Sequence, residues 1–407
     1  MNRTVLGALM TAALMLGGCG GRMAPGVTAA PPPLAAVELT QPPPHDPADL
    51  QVLFWSDAER SARFREMERW FAGHEVPPAS KPLPLERGAP LPAPLAADIR
   101  AAMAATGAAG VMVWHKGRVR FEDYGLGFGP GQRWTSFSVA KSFTSTLLGA
   151  ALADGFIESL DDPVTRYIPE LAGSAYEGVT VRQLATMTSG VAWNEDYTDP
   201  NSDVAQTQRF AIEYEGDAIV EQMKRLARET EPGEKWVYKT GETNLIGLLV
   251  ENAIGLSLAE YAQSRIVEPA GFEHGLFWMT DPRGGNIGGC CLSLTLADYT
   301  RMGVFVLNGG QAQDGTQVLP QGWFAEAGAP QVSFGEGGFG YGYQWWTYPG
   351  GAFGAQGIFG QSITIVPSQD LVVSVVGNWP KATSGENRAI WSALTARIAD
   401  TPLASQS

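Results

Sequence analysis

The hydrophobic rhythm of the chain changes several times, and the order of those changes limits the folds open to it. "GVMVWHKGRVRFEDYG", residues 110–125, holds two β-rich runs about a "HKG" turn, the pattern of a hairpin. A long helical middle follows, with segments at roughly 138–154, 180–190, 203–228, 242–254 and 257–267. The stretch 180–190 opens on a threonine cap and stops on a glycine. The rhythm then returns to strands in "YGYQWW", "GAFGAQGIFGQSITIVP" and "DLVVSVVGN", separated by Gly and Pro turns, and residues 385–400 are helical again. An amphipathic helix is also expected over 57–72. The simplest arrangement pairs the C-terminal strands with the N-terminal hairpin in one antiparallel sheet. The expected class is therefore α/β of the α+β kind: an antiparallel sheet flanked by helices, with a mostly helical lobe at about 155–310 beside it. A cleft between such lobes is a usual place for a site.

The first fifty residues read differently. Arg3 precedes the apolar run "VLGALMTAALML", too short to span a bilayer comfortably, which ends in "LGGC" at 16–19. The expectation is a lipoprotein signal peptide over 1–19, with Cys19 lipidated. Residues 20–50, rich in Pro, Ala and Gly, read as a linker to a single large domain at 51–407. By resemblance to bacterial lipoproteins, Gly20 after the cysteine favours the outer membrane, on its periplasmic side. The formal net charge of −14 and the absence of a basic run argue against nucleic acid as a partner. His45, His74, His115 and His274 are scattered, so no Ser-His-Asp triad has an obvious base, and no ligand cluster implies a metal or cofactor. Cys290 and Cys291 are adjacent. Two free thiols are expected there, a vicinal disulfide being the alternative.

Chemistry concentrates in "SFSVAKSFTS", residues 136–145, where Ser138 precedes Lys141 by three positions at the head of a helix. Residues i and i+3 share a helix face, so the amine can reach the hydroxyl. A serine hydroxyl is a poor nucleophile until a base removes its proton. Lysine serves as that base only when burial lowers its pKa. The following "SFTSTLLGAALA" carries no charge, as a buried helix would. The backbone N–H of Ser138, at a helix N-terminus, is suited to a developing oxyanion.

With these pieces in place, residues from about 100 to 400 resemble the serine hydrolases of the class C β-lactamase and DD-peptidase superfamily. In look they are nearest to 6-aminohexanoate-dimer hydrolases and related esterases. "SVAK", "DDPVTRYIPEL", "TVRQLATMTSG", "WNEDYTDP" and "VYKTGETNLIGLLVE" occur in family order, and "SLAEYAQSRIVEPAGF" and "IVPSQDLVVSVVGN" match structural stretches. The resemblance implies that Tyr238 relays the proton to the leaving group, that Ile358 in "GIFG" supplies a second oxyanion N–H, and that Tyr197 contacts substrate. Lys239 is a second candidate cation, although neighbouring side chains generally point apart.

Two departures bear on substrate. The penicillin-recognising members carry Tyr-x-Asn where this chain has Tyr238-Lys239-Thr240, and Lys-Thr-Gly where it has "GAQGIFGQ". The expected function is thus cleavage of a small amide or ester through a Ser138 acyl-enzyme. Linear, largely uncharged acyl groups should be favoured over β-lactams. The alternatives are a β-lactamase or DD-peptidase acting on cell-wall-type substrates, and a non-catalytic envelope-binding lipoprotein.

Overall fold

A computed structural model describes residues 35–214 and 216–402. Cys19, the signal segment and the first part of the proline-rich linker lie outside the described residues. The later part of that linker carries a short strand, Glu38–Thr40, paired with Gly73–Val76.

The main sheet has eight strands, every neighbouring pair antiparallel. Their order is Arg118–Tyr124, Ala108–His115, Leu371–Gly377, Ser362–Val366, Phe353–Gln356, Trp346–Thr347, Gly340–Tyr341 and Val332–Ser333. The C-terminal strands do return to the N-terminal hairpin: Val373 pairs with Val113 and Val375 with Val111. The hairpin closes through Lys116 and Gly117, whose φ values of 50° and 79° are those of a two-residue turn that follows the strand twist.

Both faces of the central strands are covered, and the period-two alternation sorts their side chains. Val111, Val113, Val373 and Val375 pack in one apolar cluster with Leu95, Ile99 and Met103 of the helix Ala93–Thr106 and with Trp391, Leu394 and Ile398 of the helix Gly385–Ala399. Met112, Val372 and Val376 face the larger core instead. There the helix Leu296–Leu307 lies close on the sheet. A Cβ on its Gly303 would meet Val372 Cγ1 at 2.4 Å. Each fully buried Val, Leu or Ile contributes about 1.5–3 kcal/mol.

The region 155–310 is less purely helical than its pattern suggests. It contributes two strands, Leu276–Met279 and Leu292–Leu294, to a second, five-stranded sheet with Glu38–Thr40, Gly73–Val76 and Trp134–Thr135. These strands are short and wholly buried, with Ser293 their single polar residue, so their sequence does not distinguish them from helix. The helix expected over 57–72 ends early, at Arg63, and is followed by a tight turn at Met67–Arg69. The segment at 203–228 is two helices, Asp203–Glu213 and Ala218–Lys224, the second capped by Asp217.

The element that positions the site is the helix Val139–Ala153, buried without a break from Val139 to Ala151. Its hydroxyls replace solvent with backbone carbonyls. Thr144 donates to Gly288 O at 2.7 Å, Ser142 to Gln344 O at 2.8 Å and Ser145 to Tyr343 O at 2.6 Å. These bonds hold the helix between the loop at 288–289 and the turn at 343–344.

Candidate active site

Ser138 is the N-cap of that helix, and the residue before it, Phe137, has φ 44°. A left-handed backbone at a bulky residue is costly and persists only where packing enforces it. Here the Phe137 ring is buried, 5.0 Å from the Phe64 ring and 5.4 Å from that of Phe359. This bend presents Ser138 at the helix end.

Lys141 lies one turn along and is only 1% exposed. Its Nζ sits 3.1 Å from Ser138 Oγ, 2.9 Å from Thr240 Oγ1 and 2.8 Å from Gly289 O. Burial lowers its pKa to about 8, against a smaller upward pull from the Glu195 carboxylate. A useful fraction of the amine is therefore neutral near pH 8, as a general base requires. Nζ is also 5.1 Å from the centre of the Tyr238 ring.

Tyr238 is half-buried and immediately precedes the segment that starts the helix Thr240–Ile254. Burial, and then Glu195, push its phenol well above the ordinary tyrosine range. A hydrogen bond with Ser138 and the Arg388 charge act the other way. Tyr238 is thus a neutral hydroxyl in contact with Ser138, suited to passing a proton. Its ring belongs to an aromatic wall with Trp236, Tyr341 and Trp346, which it stacks at 5.8 Å.

Lys239 points the other way. Its Nζ lies 3.3 Å from Glu242 Oε1 and 3.2 Å from Ser189 Oγ, in a pair with no solvent exposure. It anchors the backbone between Tyr238 and Thr240 and is not a second base.

"GIFG" folds against the nucleophile bend. A Cβ on Gly357 would lie 2.4 Å from Ser136 O and 3.2 Å from Phe137 Cβ, so only glycine allows this approach. Among the described residues neither the Ser138 N–H nor the Ile358 N–H is taken by a backbone carbonyl, while Gly357 N donates to Gln361 O. Two free donors beside one hydroxyl are what an oxyanion needs.

Tyr197 is part-buried, and its hydroxyl donates to Glu195 Oε1 at 2.9 Å. Burial and then Glu195 hold its phenol well above the ordinary range. The remaining lone pairs on its oxygen can accept but its proton is engaged.

Four contributors escape a reading of the sequence alone. Thr240 and Gly289 supply acceptors to Lys141. Glu195 binds Thr240 N at 2.9 Å and also takes the Thr240 hydroxyl and the Trp193 indole N–H. A signal for it does exist: in "WNEDY" residues 193, 195 and 197 alternate with exposed neighbours, so all three share one side of an extended segment. The fourth is Arg388 of the C-terminal helix. Its Nη2 donates to Gly357 O at 2.8 Å and its guanidinium lies 4.8 Å from the Trp379 ring centre. The strand lacks a cation, but the neighbourhood does not. Burial lowers the Arg388 pKa, with Tyr348 and Tyr238 pulling it back.

Cys290 and Cys291 are joined by a disulfide rather than standing as two free thiols. Closure of the loop brings both sulfurs together directly after Gly289. Among the described residues no group of three or more His, Cys, Asp and Glu is gathered to hold a metal ion.

Comparison with known proteins agrees with this geometry. Residues 95–397 match the Beta-lactamase family. The 6-aminohexanoate-dimer hydrolase of Paenarthrobacter ureafaciens is 31% identical over 285 residues, which cover 66% of this chain and 72% of that one. The structure of a putative 6-aminohexanoate-dimer hydrolase from Bacillus anthracis superposes with a TM-score of 0.76 at 22% identity, covering 88% of this chain and 98% of that one. A class C beta lactamase from Rhodobacter sphaeroides gives a TM-score of 0.56 at 20% identity over 75% and 98% of the two chains, a likeness of fold. With a helix-borne serine and lysine in contact, a β-lactamase/transpeptidase-like fold and a family match over most of its length, the chain belongs to the Beta-lactamase family of serine hydrolases.

Proposed function

We propose that the protein hydrolyses a small amide or ester through an acyl-enzyme on Ser138, with Lys141 as base and Tyr238 as the group that protonates the leaving atom. One observation carries this reading: a lysine amine that is 1% exposed and within 3.1 Å of the Ser138 hydroxyl. In such a step Lys141 Nζ takes the Ser138 proton as Oγ attacks the carbonyl carbon. The carbonyl oxygen becomes an oxyanion between the Ser138 and Ile358 N–H groups. The leaving nitrogen or oxygen departs with a proton from Tyr238, which is restored from Lys141. Water then repeats the sequence in reverse to release the acid.

The similarity to 6-aminohexanoate-dimer hydrolase supports linear amides and simple esters as substrates. The Tyr197 oxygen, left as an acceptor by Glu195, suits an amide N–H. Arg388 favours a second reading, in which the substrate carries a carboxylate, as β-lactams and cell-wall peptides do. A fluorophosphonate probe tests the nucleophile: wild type should label and Ser138→Ala should not. A panel of short esters, linear ω-amino-acid amides and a chromogenic cephalosporin then separates the two readings. Cephalosporin turnover matching the best ester favours the second.

The same reading places the enzyme in the cell envelope, anchored through Cys19, on the strength of "LGGC" and the apolar run before it. Cys19→Ser should move it from the membrane fraction to the soluble one. A wild-type protein that is soluble and carries no lipid mass rules the anchor out.

A further inference from the structure

We propose that Glu195 is a positioning residue that dictates which face of the Lys141 amine meets Ser138, by fixing the direction of the Thr240 hydroxyl hydrogen. The proposal rests on the reading of Ser138 and Lys141 as nucleophile and base.

A neutral lysine amine has two N–H bonds and one lone pair. Three oxygens surround Lys141 Nζ: Gly289 O at 2.8 Å, Thr240 Oγ1 at 2.9 Å and Ser138 Oγ at 3.1 Å. The Gly289 carbonyl can only accept. A threonine hydroxyl can donate or accept, so by itself Thr240 leaves the amine free to turn. If Thr240 donated to Nζ, the lone pair would be consumed there and Ser138 would face an N–H. Glu195 removes the choice. The Thr240 hydroxyl donates to Glu195 Oε1, so toward Lys141 it can only accept. Gly289 and Thr240 then occupy both N–H bonds, and the lone pair is left on Ser138.

Glu195 is itself held for this task. Four donors converge on its two oxygens: Thr240 N at 2.9 Å, the Thr240 hydroxyl, the Trp193 indole N–H and the Tyr197 hydroxyl at 2.9 Å. An ionised carboxylate has about four lone-pair sites and satisfies all of them. A carboxamide has two and turns two donors toward the rest. The isosteric Glu195→Gln therefore cannot preserve the arrangement.

The test is the second-order rate of Ser138 labelling by a fluorophosphonate, which has no N–H and so does not call on Tyr197. Glu195→Gln is made in wild type, in Thr240→Ser, which keeps the hydroxyl, and in Thr240→Val, which lacks it. The expected slowing is about a hundredfold in the first two backgrounds and within about threefold in the third. The acid limb of the rate–pH profile should also move to lower pH in Glu195→Gln, because a negative charge near Lys141 has gone. That second readout stands even if Thr240→Val fails to fold. Equal slowing in all three backgrounds, or an unmoved acid limb, overturns the positioning role while leaving the nucleophile in place. Absence of labelling at Ser138 in wild type removes the nucleophile reading and this proposal with it.

Discussion

Phe137 and Phe359 both hold a left-handed backbone, at φ 44° and 58°, and their rings lie 5.4 Å apart in the core. Each adjoins one of the two free N–H groups at the site, Phe137 before Ser138 and Phe359 after Ile358. The strain and the packing that enforces it are thus placed together where an oxyanion would form.

This pairing makes Phe359→Gly an unusual substitution. In ordinary backbone glycine costs about 0.5–1 kcal/mol more than alanine. At a φ of 58° that order should reverse. Both Phe359→Ala and Phe359→Gly lose ring packing, for about 3–5 kcal/mol in the alanine variant. Urea denaturation should nevertheless find Phe359→Gly at least as stable as Phe359→Ala. A glycine variant less stable by the usual margin would show that the backbone carries no strain there.

The rate should follow the Lys141 amine. Its charged form is disfavoured by burial, with a pKa of about 8, and only the neutral form takes the Ser138 proton. On an ester that is stable to base, kcat/KM should rise about tenfold per pH unit below that value and level off above it. Tyr238 is pushed well above its ordinary range, so no falling limb should appear up to about pH 10. Lys141→Ala should lose activity nearly as fully as Ser138→Ala, since members of such a unit are not additive. A rate flat from pH 6 to 9 would move the base elsewhere.

How much of this was legible in the chain follows from distance along it. Ser138 and Lys141 meet because three residues make one helical turn, so their contact was readable from spacing. The two faces of the central strands were readable from alternation, as Val111 and Val113 against Met112 show. The partners that orient the amine were not. Thr240 is 99 residues and Gly289 148 residues from Lys141. Arg388 reaches the site only because the last helix packs back across the sheet. No local pattern announces such meetings. Glu195 is intermediate: its alternation with Trp193 and Tyr197 marks a face, and the fold determines what that face meets.

The buried pair of Lys239 and Glu242 has its own consequence. Both side chains are fully buried and 3.3 Å apart, and burial is the main force raising the Glu242 pKa. Removing one partner strands the other charge. Lys239→Met should cost about 3–5 kcal/mol, and Lys239→Met with Glu242→Leu should recover most of that. Denaturation midpoints decide it: a double variant no better than the single one would mean the pair is not the reason for the loss.

Tyr197 should separate amides from esters. Its hydroxyl hydrogen is held by Glu195 at 2.9 Å, which leaves the oxygen as an acceptor. Among substrates with the same acyl group, an amide offers an N–H to that oxygen and an ester offers none. A bond of this kind that strengthens as the leaving nitrogen becomes tetrahedral lowers the barrier for amides alone. Tyr197→Phe keeps the ring and removes only the oxygen. Amide turnover should fall about tenfold, the worth of one hydrogen bond of ~1.4 kcal/mol, with ester turnover little changed. Because Phe cannot donate to Glu195 either, an indirect effect through Thr240 and Lys141 would slow both substrates alike. Equal losses on amide and ester would therefore assign Tyr197 to the support of Glu195, and a selective loss on amides assigns it to the leaving group.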